Sequence, residues 1–201
     1  MNTDDIVNKK QELIRIAERC FHQGLQTGSG GNISIRLTYD DAIVIKPSGV
    51  GFAECTVENL MVADLEGNII SGELKPSKDM DFHLAIYRVR PDVNGIVHVH
   101  SPWATAWASG KQSIPCLTIH AAAKLKSIPV IPVAGDGGAQ TASEVTPVFR
   151  NPECKAALME YHGSVGVGKT LLAAQHVAEL IEETAQIAAV SRMISSTGES
   201  A

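Results

Sequence analysis

His98 and His100 stand two residues apart in 95-GIVHVHS-101, a segment otherwise rich in Ile and Val. On a strand, side chains at i and i+2 share one face, so both imidazoles project the same way from a rigid backbone. Two basic rings on one face are costly to bury unsatisfied, and a divalent metal ion satisfies them directly. Two hydrogen-bonded histidines at a sheet edge would explain this motif equally well when it is taken alone. A third nitrogen is available from His162, which follows the apolar run 156-AALMEY-161. Three His leave a coordination position open, as catalytic zinc requires. A carboxylate near such an ion is wanted to move protons. The stretch 76-PSKDMDFH-83 offers Asp79 and Asp81 at the start of a helix.

His162 also opens 162-HGSVGVGKT-170, in which Gly163 to Thr170 fit the phosphate-loop pattern G-x-x-x-x-G-K-[ST]. In that motif backbone amides cradle phosphates, Lys reaches the terminal ones and the hydroxyl residue holds magnesium. The flanks agree with it: an apolar run precedes, and 170-TLLAAQHVAELIEETAQIAAV-190 has helical spacing. Yet one loop is not a nucleotide site. The residues after Thr170 read as a single helix and the tail 191–201, so an acidic strand to hold magnesium would have to come from earlier in the chain.

The elements that must position these residues can be read from periodicity. Thr3 or Asp4 is expected to cap a helix to about His22, with Ile6, Leu13, Ile16, Ala17 and Cys20 on one face. Segments 33–37 and 42–46 read as a hairpin, and 60–64 with 69–71 as a second. A helix over 79–90 is ended by Pro91, the strand 95–100 comes next, and 102–109 is a short helix with Pro in its first turn. The runs 128–134 and 157–168 bracket a loop at 135–138, a helix from about Thr141 and a loop around Pro147 and Pro152. Short strands in clusters between helices argue for a single α/β layered domain over 1–201 with a largely antiparallel sheet. That architecture disfavours the nucleotide loop.

Composition narrows the functions. The 201 residues are 44% apolar and 19% charged, with a net charge of −5. No basic run tracks a phosphate backbone, so nucleic acid is not an expected partner. The N-terminus mixes charges with apolar residues at helical spacing, which is neither a signal peptide nor a membrane span, and a cytoplasmic protein is expected. The four cysteines at 20, 55, 116 and 154 are scattered, without a C-x-x-C pair, and are expected to be reduced packing residues.

Taken in order, 29-SGGNISIR-36, 46-KPSG-49, 76-PSKDMDFHLAIYR-88, 97-VHVHS-101 and 161-YHGSVGVG-168 resemble the class II aldolase/adducin family, typified by L-fuculose-1-phosphate aldolase and L-ribulose-5-phosphate 4-epimerase. The resemblance spans almost the whole chain. It implies zinc, or another divalent ion such as manganese or cobalt, on His98, His100 and His162. It maps the family's catalytic acid, Glu in the aldolases and Asp in the epimerase, onto Asp79, leaving Asp81 as a surface helix-start residue favoured by the helix dipole. It implies a phosphate held by Ser29, Gly31 and Asn32, by Ser48 and Gly49, and by Ser77 and Lys78. Lys78 departs from the Ser usual there, which would strengthen phosphate binding or suit a carboxylate.

On that resemblance the reaction is carbon–carbon cleavage of a small phosphorylated or acidic hydroxy-carbonyl compound. Zinc would stabilise an enediolate as a Lewis acid and Asp79 would carry the proton. The Tyr residues that aldolases of the family use are missing from 114-IPCLTIHAAAK-124 and from the tail, which leaves His120 as the nearest second proton carrier. Decarboxylation of a 3-oxo acid on the same site is a close alternative. A 4-epimerase is a weaker one, because Ala122 stands near the place of the epimerase acid. A non-catalytic adducin-like module has no need of three His and Asp79, and the phosphate-loop match becomes coincidental. The family also implies a homo-oligomer, a tetramer, with sites between subunits.

Overall fold

The computed structural model describes residues 1–133 and 138–198. Helix α1 (Thr3–His22) is capped by Asn2, one residue before the first of the expected caps; the Asn2 side chain accepts the backbone N–H groups of Asp4 and Asp5. Its buried stripe is Leu13, Ile16, Ala17 and Cys20. Strands β1 (Asn32–Arg36), β2 (Ala42–Ile45), β3 (Met61–Asp64) and β4 (Ile69–Ser71) form two linked hairpins. Helix α2 (Met80–Val89) then leads into β5 (Gly95–Val99) and α3 (Pro102–Ser109). The remaining elements are α4 (Ile119–Leu125), β6 (Val130–Ile131), α5 (Ala139–Phe149), β7 (Ala156–Met159), β8 (Gly163–Gly168) and α6 (Leu171–Gly198).

All eight strands join one sheet in the order β4-β3-β2-β1-β5-β8-β7-β6, antiparallel except for the β6–β7 pair. Side-chain alternation divides the core. One face packs α1 and the start of α6 against Ile33, Ile35, Val97 and Val99. The other packs α2 and α5 against Ile43, Ile45, Ile96, Val165 and Val167. A third cluster joins α3, α4 and α6 over Ala156 and Leu158. The α/β layered, largely antiparallel architecture expected from the sequence is the one observed. Residues Cys20, Cys55 and Cys154 are buried free thiols, and Cys116 is half-buried and free. No helix among the described residues is long and apolar enough to cross a membrane.

Four local expectations change. The run 157–168 is two strands, β7 and β8, joined by a turn in which Tyr161 takes φ 56°. Pro147 lies inside α5, near the C-terminal end of the helix, whose Val145 and Phe149 fill the core. Helix α4, unforeseen, starts where the Thr118 side chain accepts the N–H of Ala121. The tail continues α6 as far as Gly198. Of the expected loop 135–138, only Gly138 lies within the described residues.

Strand β8 disposes of the phosphate loop. A nucleotide loop needs free amides, but the backbone of 163–168 is paired with β5 on one edge and β7 on the other. Its glycines serve packing: a Cβ at Gly166 would lie 2.8 Å from the Ala174 carbonyl oxygen, and one at Gly168 would lie 2.5 Å from the Ala174 nitrogen. Helix α6 sits directly on them.

Candidate active site

Beta-strand alternation turns His98 toward the face that carries Ile96, where it is fully buried. Its Nδ1 donates to the Ser164 carbonyl at 3.0 Å, which leaves Nε2 as a lone-pair donor aimed at the centre of the site. His100 follows the end of β5, and its backbone N–H is fixed by Gln26 Oε1 at 2.8 Å. His162 enters from the β7–β8 turn. The Nε2 atoms of His98 and His100 are 3.1 Å apart, and one nitrogen from each of the three rings lies within 4.8 Å of the others. Burial holds the His98 pKa well below the usual imidazole range, reinforced by the neighbouring imidazoles His162 and His100. Burial, with His162 adding to it, takes His100 down to about 4. Neutral, convergent imidazoles are the form that ligates a divalent ion.

Asp79 immediately precedes α2 and is 9% exposed. Its Oδ2 accepts from Asn32 Nδ2 at 2.7 Å and lies 3.8 Å from His98 Nε2. It is therefore beside the triad rather than part of it. Asp81, two residues on, is exposed in the first turn of α2.

The triad opens into a cavity of about 610 Å³. Ser29, Gly31, Asn32, Ser48, Ser77 and Lys78, all expected at an anion site, line it together with Lys46, Lys75 and Asp79. Gly49, with φ 78°, adjoins Ser48 in the same loop. The sequence reading missed Lys46. This fully buried ammonium donates to the carbonyls of Ser29 (3.3 Å), Pro47 (3.1 Å) and Val50 (2.5 Å), so it ties the two glycine-bearing loops together. Burial lowers its pKa, opposed by Cys55, Asp79 and Glu54. A lone lysine ending the apolar strand 42-AIVIK-46 was the available signal. Glu160 and Tyr161 also line the cavity; Lys111 pairs with Glu160 at 2.9 Å and stands over the Tyr161 ring.

Two expectations are redistributed. The Asn32 side chain is only 2% exposed and is already engaged, its Nδ2 with Asp79 and Ser77 and its Oδ1 with His83. Its amide therefore presents no free donor to the cavity. His120 is not brought to this cavity. Ala121 and Leu125 bury α4 against the core and turn His120 outward, to a second cavity of about 830 Å³ that Lys124, Lys169 and His176 also line. Lys169, the phosphate-loop lysine, is thus on that side of the molecule and away from His162.

Comparison with known proteins places the whole fold among relatives. The family model for the Class II Aldolase and Adducin N-terminal domain matches residues 11–189. The chain is 33% identical over 184 residues to a 3-oxo-tetronate 4-phosphate decarboxylase of Haemophilus influenzae, covering 89% of this chain and 86% of the relative. It is 33% identical over 180 residues to a 5-deoxy-D-ribulose 1-phosphate aldolase of Bacillus thuringiensis serovar kurstaki, covering 89% and 83%. Among solved structures, an L-fuculose 1-phosphate aldolase superposes with a TM-score of 0.88 at 28% identity, covering 96% of this chain and 89% of that one.

Proposed function

Because the chain belongs to the class II aldolase and adducin family, we propose that it is a divalent-metal-dependent lyase that breaks a carbon–carbon bond of a small phosphorylated hydroxy-carbonyl compound by retro-aldol chemistry. The observation that carries this reading is the convergence of His98, His100 and His162 beside Asp79 at a cavity furnished for an anion. Zinc or a similar ion held by the three imidazoles would polarise the carbonyl and hydroxyl oxygens of a substrate. The loops tied by Lys46, with Ser48, Ser77 and Lys78, would hold the phosphate. Asp79 would deliver a proton to the carbon from which the bond has broken.

A second reading is decarboxylation of a 3-oxo acid phosphate, and the distribution of acid and base groups favours it. Retro-aldol cleavage requires both removal of a hydroxyl proton and return of a proton to carbon, two roles that Asp79 would have to combine. Loss of carbon dioxide leaves a carbanion that needs a single proton. With His120 elsewhere, Asp79 is, among the described residues, the one carboxylate lining the cavity that is not paired with a lysine. Assaying L-fuculose 1-phosphate, 5-deoxy-D-ribulose 1-phosphate and 3-oxo-tetronate 4-phosphate for aldehyde or carbon dioxide release separates the two. Release of neither, by metal-loaded protein, would overturn both.

The proposal includes a homo-oligomer, a tetramer, in a cytoplasmic setting. Exposed apolar side chains on and beside α4 and at the end of α6 support the assembly: Leu117 is 54%, Ile119 91% and Met193 64% exposed. His120, adjoining Ile119, would then act only toward a neighbouring subunit. Sedimentation showing an active monomer would refute this arrangement.

A further inference from the structure

A buried hydrogen-bond chain runs from α2 through β1 to Asp79. Asn32 and Ser34 are i and i+2 on β1 and share a face; His83 and Tyr87 are i and i+4 on α2 and share another. Packing α2 on the sheet brings the two pairs together. Tyr87 OH and Ser34 Oγ are 2.9 Å apart, Ser34 Oγ and His83 Nδ1 2.7 Å, and His83 Nε2 and Asn32 Oδ1 2.5 Å. Asn32 Nδ2 then reaches Asp79 Oδ2 at 2.7 Å. Ser34 and His83 are 0% exposed, Tyr87 1% and Asn32 2%, so solvent cannot substitute for any of these partners.

Only one polarity satisfies the whole chain. An ionised Asp79 must face the NH₂ group of Asn32, which leaves Oδ1 facing His83 and requires a hydrogen on Nε2. A neutral ring then has Nδ1 free to accept from Ser34, and Ser34 accepts from Tyr87. Reversing the ring tautomer would set its Nε2 lone pair against Oδ1, and flipping the amide to relieve that would put a carbonyl oxygen 2.7 Å from the carboxylate.

We infer that His83 is a positioning residue for the reaction: as the Nε2–H tautomer it fixes the Asn32 amide, and through it the Asp79 carboxylate, beside the histidine triad. The inference rests on the reading of Asp79 as the proton carrier. Removing the His83 donor frees Asn32 to rotate and Asp79 to turn toward the imidazoles, a misplacement on the order of 1 Å that costs roughly 10- to 100-fold in turnover.

The test combines turnover with a spectroscopic readout that needs no substrate. In ¹⁵N-histidine-labelled protein, with His83 assigned by the signals lost in His83→Gln, the ring should be the Nε2–H tautomer; an Nδ1–H ring overturns the inference whatever the substrate. Kinetics use whichever of the three phosphorylated substrates above the wild type cleaves. His83→Gln, whose amide N–H can reach the place of Nε2–H, should keep kcat within about threefold, whereas His83→Leu should lose roughly 10- to 100-fold in kcat with KM unchanged. Equal loss in both variants, or native turnover in His83→Leu, also overturns it. If His83→Leu does not fold, as judged by thermal melting, the tautomer and His83→Gln decide. Should Asp79→Asn turn over like the wild type while the Nε2–H tautomer is present, the Asp79 reading falls and the hydrogen-bond chain stands.

Discussion

The two cavities contain similar residues and differ in what the backbone does with them. Around the first, imidazoles from β5 and from the β7–β8 turn converge with one carboxylate, and Lys46 is held by three carbonyls. Around the second, His120, Lys124, Lys169 and His176 stand exposed on α4, on α6 and near the start of α6. The contrast teaches that residue type is a weak guide to chemistry. Convergence enforced by strand pairing, with burial that lowers the pKa of His98 and His100, separates a candidate metal site from a solvated surface.

Breaking the first cavity should therefore cost far more than breaking the second. His98→Ala and His162→Ala should abolish turnover and lower the bound divalent metal, measured by elemental analysis, well below the wild-type content. Lys169→Ala should change turnover less than about twofold, because exposed substitutions away from a site have small effects. The opposite pattern would restore the nucleotide reading. Next in size, Asp79→Asn should lower kcat on the order of a hundredfold or more, while Asp81→Asn, two residues away and exposed, stays near native. Equal losses would show that the comparison between buried and exposed acids has been drawn in the wrong place.

Lys46→Met retains the apolar stem but leaves buried carbonyls unsatisfied, at about 1–3 kcal/mol for each such group. A lower melting temperature should accompany a raised KM for phosphorylated substrate, and an unchanged KM would separate Lys46 from the anion site. The last comparison concerns acid. Burial takes His83 down to about 3, against an ordinary value near 6.5. The unfolded chain therefore binds a proton that the folded one refuses. Stability is unaffected above pH 6.5 and falls between there and about pH 3, by about 1.4 kcal/mol per pH unit for this one ring. Denaturant titrations of His83→Gln should show a correspondingly shallower acid slope.

Much of this was legible in the chain because it rests on local periodicity. Alternation gave the two hairpins and β5, and the two-residue spacing of His98 and His100 put both rings on one side. Asp79 could be separated from Asp81 only through the family resemblance. The misses share a physical cause. His83 meets Ser34 and Asn32 across 49 and 51 residues of sequence, and Lys46 meets Ser29 across 17. Nothing in local spacing encodes such pairings. The family resemblance implied that Asn32 holds an anion, whereas both ends of its buried amide are engaged within the fold. The β7–β8 turn was missed because Tyr161 adopts a left-handed backbone that Gly or Asn would have advertised.

Strand β8 is enclosed on every side: ladders on both edges, α6 against its glycines, and Val165 and Val167 in the core beneath α2 and α5. Its amide hydrogens can reach solvent only when the sheet opens, so exchange with deuterium oxide there should proceed at the rate of global unfolding. The stretch that reads as an open cradle for phosphate is thereby expected to be among the last parts of the molecule to feel water, and His162, hinged on its first residue, takes its fixed position from the slowest-opening part of the fold.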